Sequence, residues 1–170
     1  MVKKWHNYLK AAIGTIAAIS IWIGAITCLQ PAVTPPPLPI AACGVNQWVL
    51  LSDYQAAVTV SGVTYAVTIR AGFRSDLASI APVIAAALGV DRDSPAIRRG
   101  ALIHDAIYAA HLTSRQTADS ILYAICLADG MAPAKARAVY QAVSEWGWGP
   151  WERTPEQISA ARQLVSVSAR

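Results

Sequence analysis

The sequence predicts an α+β fold that follows an N-terminal transmembrane helix and a proline-rich tether. No Asp, Glu, Lys or Arg occurs between Ala11 and Ser52, and the first part of this stretch is continuously apolar or small. Segments rich in β-branched residues come next, and punctuated helical segments follow them. We therefore expect a small antiparallel β-hairpin or sheet packed on a helical hairpin and further helices.

The apolar segment 11–29 has about the length needed to cross the hydrocarbon core of a bilayer. Lys3, Lys4 and Lys10 precede it, and the next basic residue is Arg70. Basic residues concentrate on the cytoplasmic side of a membrane helix. This asymmetry predicts a single-pass membrane protein with a cytoplasmic N-terminus and a periplasmic or other extracytoplasmic C-terminal domain, or the equivalent in a virion membrane.

The predicted organisation has three parts. Residues 1–29 form the basic end and the anchor, residues 30–42 form the proline-rich tether, and residues 43–170 form the exported α+β domain. A cleaved signal peptide fits the same basic start and apolar segment. Lipidation at Cys43 also stays open.

The charge balance argues against a nucleic-acid partner. The formal net charge is +4, but without the three N-terminal lysines the chain has 11 basic and 10 acidic residues. Such a balance produces no field that would bind phosphates. The expected partner is the lipid bilayer, together with a phospholipid substrate or other envelope proteins.

Strand patterns come first in the globular part. We expect a tight turn at Ser61-Gly62, because small residues there separate two β-rich segments. The segment Gly72–Ile80 predicts a loop that leads into a short apolar helix ending near Gly89. The predicted strands are Trp48–Leu51, Gln55–Val60 and Val63–Ile69.

Helix boundaries are well marked in the second half. Ser94 and Pro95 predict an N-cap and a first-turn proline for a helix that runs to Ala110. A capping box at Thr113–Gln116 predicts the start of a second helix, which ends at Gly130. The short connection makes these two helices an antiparallel hairpin. Further helices are expected from Pro133 to Gly147 and after the cap at Thr154–Gln157.

The helical hairpin carries the residues with chemical potential. His104 and Tyr108 share a face of the first helix, and Asp119 on the second helix lies at a similar height. A carboxylate that faces an imidazole fixes its tautomer, and the other ring nitrogen can then deprotonate a water. Asp105, displaced by about 100° around the helix axis, could hold a hard cation such as Ca²⁺ through oxygen.

The HDxxY helix with a facing aspartate resembles the active-site hairpin of secreted phospholipase A2. The resemblance implies that His104 is the general base, Asp105 a calcium ligand, Tyr108 a supporting residue and Asp119 the orienting carboxylate. It implies a calcium-dependent lipid ester hydrolase at a host envelope. The chain departs from that family because it has neither the glycine-rich calcium loop nor the paired-cysteine framework.

A broader resemblance rests on four ordered segments: GFRSDLASI, ALIHDAIY, TADSILYAI and VYQAVSEWGWGPW. They look like a family of small phage and prophage proteins, the domain of unknown function 1353, which has no established activity. In this family the aspartate of the GFxTD segment occurs together with the HD pair, which makes Asp76 a candidate second carboxylate for a metal or for the His–Asp dyad. Asp76 equally fits the N-cap of the helix that follows it.

Two functions remain open at this stage. The first is the phospholipase A2-like hydrolase, in which His104 and Asp119 line an open cleft. The second is a non-enzymatic phage membrane protein with a structural or interaction role in the virion, in entry or in lysis. In that protein the same side chains are sealed in the core as a buried polar network.

Overall fold

The computed structural model describes residues 37–77, 85–86, 89–91 and 94–170, which all belong to one compact unit, Ala32–Arg170. Over these residues the fold is α+β, with two three-stranded antiparallel sheets and five helices. The strands are β1 (Ile40–Gly44), β2 (Gln47–Leu50), β3 (Tyr54–Val60), β4 (Val63–Ile69), β5 (Arg74–Ser75) and β6 (Val165–Ala169). The helices are α1 (Pro95–Ala110), α2 (Arg115–Ala128), α3 (Pro133–Trp146), α4 (Trp148–Trp151) and α5 (Pro155–Arg162).

The first sheet has the strand order β1-β2-β5. Its register places Trp48 opposite Ser75 and Val49 opposite Arg74. Side chains of neighbouring residues in a strand point to opposite faces. This short pairing therefore sets the directions in which Ser75 and Arg74 project.

The second sheet has the order β3-β4-β6 and is built on a hairpin. Ser61 and Gly62 both have positive φ, at 51° and 81°. Two positive φ values in a two-residue loop are typical of the turns that match strand twist. Strand β6, in which Val165 and Val167 alternate with serines, pairs with β4 and forms an edge of the sheet.

Helices α1 and α2 are capped at their N-termini and pack closely. The Ser94 side chain accepts a hydrogen bond from the Ala96 N–H, and the Ser114 side chain accepts one from the Thr117 N–H. Gly100 of α1 lies so near α2 that a Cβ atom there would stand 2.9 Å from Leu122 Cδ1. The absence of a side chain at this position permits the close approach of the two helices.

The helical pair separates two apolar cores. The main core lies between α1 and the two sheets, where Ile69, Ile103 and Ile107 are fully buried. A second core lies between α2 and α3, around Leu122 and Val139. Burying each such side chain contributes about 1.5–3 kcal/mol, so the two cores hold the hairpin from both sides.

One buried ion pair also joins α1 to the end of α2. Arg99 donates to both carboxylate oxygens of Asp129, with its shortest contact at 2.6 Å. The exposed fractions of the two side chains are only 15% and 5%. A bidentate geometry of this kind fixes the distance between the helices at this height.

The structure confirms several boundaries predicted from the sequence and corrects others. Strand Val63–Ile69 and the turn before it occur as predicted. The N-cap of α2 is Ser114, one residue later than the predicted capping box begins. The sequence-based prediction missed three strands: β1 across the end of the predicted tether, β5 in the predicted loop and β6 after the terminal helix. The predicted short helix before Gly89 lies mostly outside the described residues.

The predicted transmembrane helix and the single-pass membrane location require correction. No helix over residues 37–77, 85–86, 89–91 and 94–170 is both long and apolar enough for a membrane span. The longest, α1, has 16 residues, which corresponds to about 24 Å against a hydrocarbon core of about 30 Å. Over the described residues the architecture is therefore an α+β fold with no membrane helix among its elements. The apolar segment 11–29 that prompted the prediction lies outside the described residues.

The Arg99–Asp129 pair generates a stability prediction. We expect Asp129→Ala to lower the free energy of unfolding by about 3 kcal/mol, because a guanidinium is left buried without its carboxylate. The double variant Arg99→Met/Asp129→Leu should lower the free energy of unfolding by less, since neither buried charge remains. Urea unfolding of the three proteins measures both values, and a double variant as unstable as Asp129→Ala would contradict the argument.

Candidate active site

A pocket of about 320 Å³ lies beside α1. Residues in and beside β2 and β5 supply part of its lining, α1 supplies four residues, and the segment around α4 supplies the remainder. Charged groups of both signs meet there, with two arginines and two aspartates around a histidine. The chemically active lining residues are Arg74, Ser75, Asp76, His104, Asp105, Tyr108 and Arg153.

His104 is fixed from behind by Asp119. Its Nε2 lies 2.9 Å from Asp119 Oδ1, and both residues are buried, at 2% and 1% exposed. An ionised carboxylate only accepts hydrogen bonds, so Nε2 carries the proton and donates it. Nδ1 of the neutral ring is then the unprotonated, basic nitrogen.

Asp119 is itself held by donors from three helices. The Tyr108 hydroxyl donates to Oδ1 at 2.5 Å, while Arg115 Nη1 and Ser144 Oγ each donate to Oδ2 at 3.4 Å. Burying a carboxylate is costly unless its oxygens are paired. These contacts meet that requirement and fix the orientation of the carboxylate against His104.

The other ring nitrogen of His104, Nδ1, is buried on the side of the ring that faces Asp105. Among the described residues Nδ1 has no hydrogen-bond partner. The Asp105 Oδ1 atom lies 3.9 Å from it, which is too long for a hydrogen bond but short for a charge interaction. Asp105 is held in this position because Ser75 Oγ donates to its second oxygen at 2.5 Å.

The surroundings of His104 act on its pKa in opposite directions. Burial lowers the pKa of the imidazole, whereas Asp105 and Asp119 raise it, and the net result is a pKa above the ordinary histidine value. The protonated ring is thus stabilised between two carboxylates. A histidine in this environment is a stronger base than a free imidazole.

An aromatic stack fixes the segment that forms the far wall of the pocket. Trp151 stacks on His111 at a centroid distance of 4.0 Å and meets Tyr108 edge-on at 5.0 Å. His111 Nε2 lies 2.8 Å from the Trp151 carbonyl oxygen, to which it donates. These contacts attach α4 to the C-terminal half of α1.

Gly147, between α3 and α4, makes a close approach that the fold requires. A Cβ atom at this position would stand 2.4 Å from the Val143 carbonyl oxygen and 2.7 Å from the Tyr108 hydroxyl. Any side chain would therefore push against the tyrosine that donates to Asp119. Gly147 also lines the pocket, so it shapes both the cavity and the hydrogen-bond network.

The structure brings together three of the residues singled out in the sequence and places two others on the pocket wall. His104, Tyr108 and Asp119 form one hydrogen-bonded cluster, and Asp105 and Asp76 line the pocket. His104 contributes to the pocket lining, but His104 and Asp119 are only 2% and 1% exposed, so the pair does not line an open cleft as the hydrolase hypothesis expected. Asp119 lies behind His104 in the core, where an orienting carboxylate has no need of solvent access.

Sequence reasoning missed Ser75, Gly147 and Arg115. Ser75 is the second residue of the two-residue strand β5. Such a short strand leaves no periodic pattern to recognise. At Gly147 the sequence pattern indicated only the end of a helix. Arg115 carried one available signal, because it lies one turn before Asp119 on the same helix face.

The described residues do not form a ready-made calcium site. They contain no group of three or more His, Cys, Asp or Glu side chains placed to hold a metal ion. Calcium takes six to eight oxygen ligands, and one oxygen of Asp105 already accepts from Ser75. Calcium binding by Asp105 and Asp76 stays a prediction.

Fold and site together define a class: an α+β protein with a buried histidine–aspartate pair on a helical hairpin beside a pocket. The family model described as "Protein of unknown function (DUF1353)" matches residues 48–143, more than half of the chain, and the protein belongs to that family. The match spans the four site residues of the hairpin and confirms the resemblance to the domain of unknown function 1353, while the phage context and the resemblance to phospholipase A2 stay predictions. No curated protein and no solved structure matches the chain.

Gly147 generates a prediction about the site. We expect Gly147→Ala to lower the free energy of unfolding by about 2 kcal/mol, because the new methyl group must displace backbone or Tyr108. Near-UV circular dichroism should change as the tyrosine moves. Gly149→Ala is the matched control, since a Cβ there meets nothing within 4 Å. Equal effects of the two substitutions would contradict the packing argument.

The raised pKa of His104 predicts a pH-dependent stability. A folded-state pKa above the unfolded value contributes stability that is complete below the unfolded pKa and lost as pH rises through the folded pKa. The stability advantage of the wild type over His104→Gln should therefore shrink with rising pH. Urea unfolding between about pH 5 and pH 9 measures it. Asp119→Asn should flatten the dependence, and an advantage that grows with pH would refute the assignment.

Proposed function

We propose that the pocket is a hydrolytic active site in which His104 activates a water for attack on a carboxylic ester. One observation carries the proposal. The imidazole donates through Nε2 to a buried carboxylate, while its Nδ1, also buried, has no hydrogen-bond partner in the part of the chain that the structure describes. General-base catalysis needs this division between the two nitrogens.

The reaction proceeds through a tetrahedral intermediate. A water in the pocket transfers a proton to Nδ1 of His104 as its oxygen forms a bond to the ester carbonyl carbon. The intermediate collapses when the bond to the leaving alcohol oxygen breaks, and the imidazolium returns the proton to that oxygen. The products are a carboxylic acid and an alcohol, and His104 is regenerated.

The neighbouring residues have separate parts in this step. Asp119 holds the ring by its Nε2–H and stabilises the imidazolium without taking the proton itself. Tyr108 keeps Asp119 in place through its 2.5 Å hydrogen bond. Asp105, at 3.9 Å from Nδ1, adds a second negative charge that favours the protonated ring, and Ser75 positions Asp105.

The resemblance to phospholipase A2 suggests a phospholipid ester as one substrate and calcium as a cofactor. The arrangement of His104, Tyr108 and Asp119 is compatible with that suggestion. The association with phages and with a host envelope comes only from the resemblance and stays a prediction.

Burial favours a second candidate function, a structural or interaction protein. His104 and Asp119 are nearly inaccessible to solvent, and the network around Asp119 joins α1, α2 and α3. A buried network of this kind, in which both oxygens of Asp119 are paired, gives a core one unique arrangement. In this alternative the same side chains stabilise the helical hairpin and do no chemistry.

An ester-hydrolysis assay distinguishes the two functions. We expect the purified protein to release acid from p-nitrophenyl butyrate or from a short-chain phosphatidylcholine, assayed in calcium and in EDTA. His104→Gln should lower the rate at least about 100-fold, because it removes the general base. Asp119→Asn should also lower it, while Asp53→Asn, a carboxylate change on an exposed loop, should not.

The assay has clear contrary outcomes. Hydrolysis that survives His104→Gln would refute the proposed base. No hydrolysis of any ester, with His104→Gln lowering only the unfolding free energy, would leave the structural network as the function. A rate that is identical in calcium and in EDTA would refute the predicted calcium dependence alone.

A further inference from the structure

Two arginines line the pocket from different parts of the fold. Arg74 belongs to β5, and Arg153 lies between α4 and α5. Both side chains belong to exposed residues. Over the residues that the structure describes, neither guanidinium has an ion pair or a side-chain hydrogen bond.

The pocket carboxylates differ from these arginines in one respect. Asp105 accepts a hydrogen bond from Ser75, and Asp76 also has an interaction partner. His104, whose pKa is raised, adds further positive charge when it is protonated. The pocket therefore combines partnered negative groups with two positive groups that have no protein partner in the described chain.

The backbone at each of the two arginines belongs to, or directly adjoins, regular secondary structure. Arg74 pairs with Val49 across β2 and β5. Arg153 directly precedes Thr154, which caps α5 in a capping box with Gln157. The backbone positions of both arginines are thus fixed beside one cavity, which both residues line.

We propose that Arg74 and Arg153 bind an anionic group of the substrate, a carboxylate or a phosphate. The inference rests on the proposed hydrolase and names its substrate class: esters that carry a negative charge near the scissile carbonyl. A guanidinium offers paired N–H donors that match the two oxygens of a carboxylate or phosphate. The anion supplies the partner that both arginines lack among the described residues.

Paired substrates test the inference in the hydrolysis assay. We expect the p-nitrophenyl monoester of glutaric acid, which is anionic, to have a higher kcat/KM than p-nitrophenyl valerate, its neutral counterpart. Arg74→Gln and Arg153→Gln should each raise KM for the anionic ester about tenfold, since each removes a charged hydrogen bond. For both variants, KM for the neutral ester should stay within about twofold of the wild-type value.

Arg137→Gln is the matched control, because Arg137 is an exposed arginine of α3 outside the pocket lining. This variant should leave KM unchanged for both esters. Added salt should raise KM for the anionic ester alone, since it screens exposed charges. Equal kcat/KM for the two esters, or arginine variants that lower kcat on both alike, would overturn the inference and leave the hydrolase in place.

A binding measurement separates this inference from the hydrolase itself. Calorimetric titration of the protein with glutarate and with glycerol phosphate measures binding without any turnover. Binding that is lost in Arg74→Gln/Arg153→Gln, in a protein that hydrolyses no ester, would sustain the anion site and refute the hydrolase. The preferred titrant identifies the anion as carboxylate or phosphate. Failure of both titrants to bind would overturn the inference.

Discussion

The site depends on the hydrogen bond between His104 and Asp119. A carboxylate that is 1% exposed has lost its hydration, so protein donors must replace the water at its oxygens. Tyr108, Arg115 and Ser144 provide those donors along with the histidine. The two central helices and α3 are consequently bound to one another at the height of the site, and the position of the imidazole follows from that arrangement.

Supporting interactions at other heights keep this geometry in place. The Arg99–Asp129 ion pair joins the opposite end of the helical hairpin, and Gly100 lets the helices approach between the two polar contacts. Gly147 allows the chain to turn against Tyr108. A pocket wall follows from this turn, because α4 then lies against α1 through the Trp151 stack.

Local patterns predicted the helical hairpin well, and they predicted the sheets only in part. Ser94 with Pro95 marked the start of α1, and Gly130 marked the end of α2, since caps act through neighbouring backbone groups. The His104–Tyr108 pairing follows from helix periodicity. Strands β1, β5 and β6 depend on partners far away in the chain, so their short segments carried little signal of their own.

The sequence by itself determined which residues can meet on the hairpin. Helix spacing, two caps and a short connection suffice to place His104 opposite Asp119. Only the tertiary structure decided which ring nitrogen faces the carboxylate, that Ser75 holds Asp105, and that Arg74 and Arg153 border the same pocket. These outcomes bring together residues up to 79 positions apart in sequence (Arg74 and Arg153 at one pocket), and packing rather than local propensity sets such arrangements.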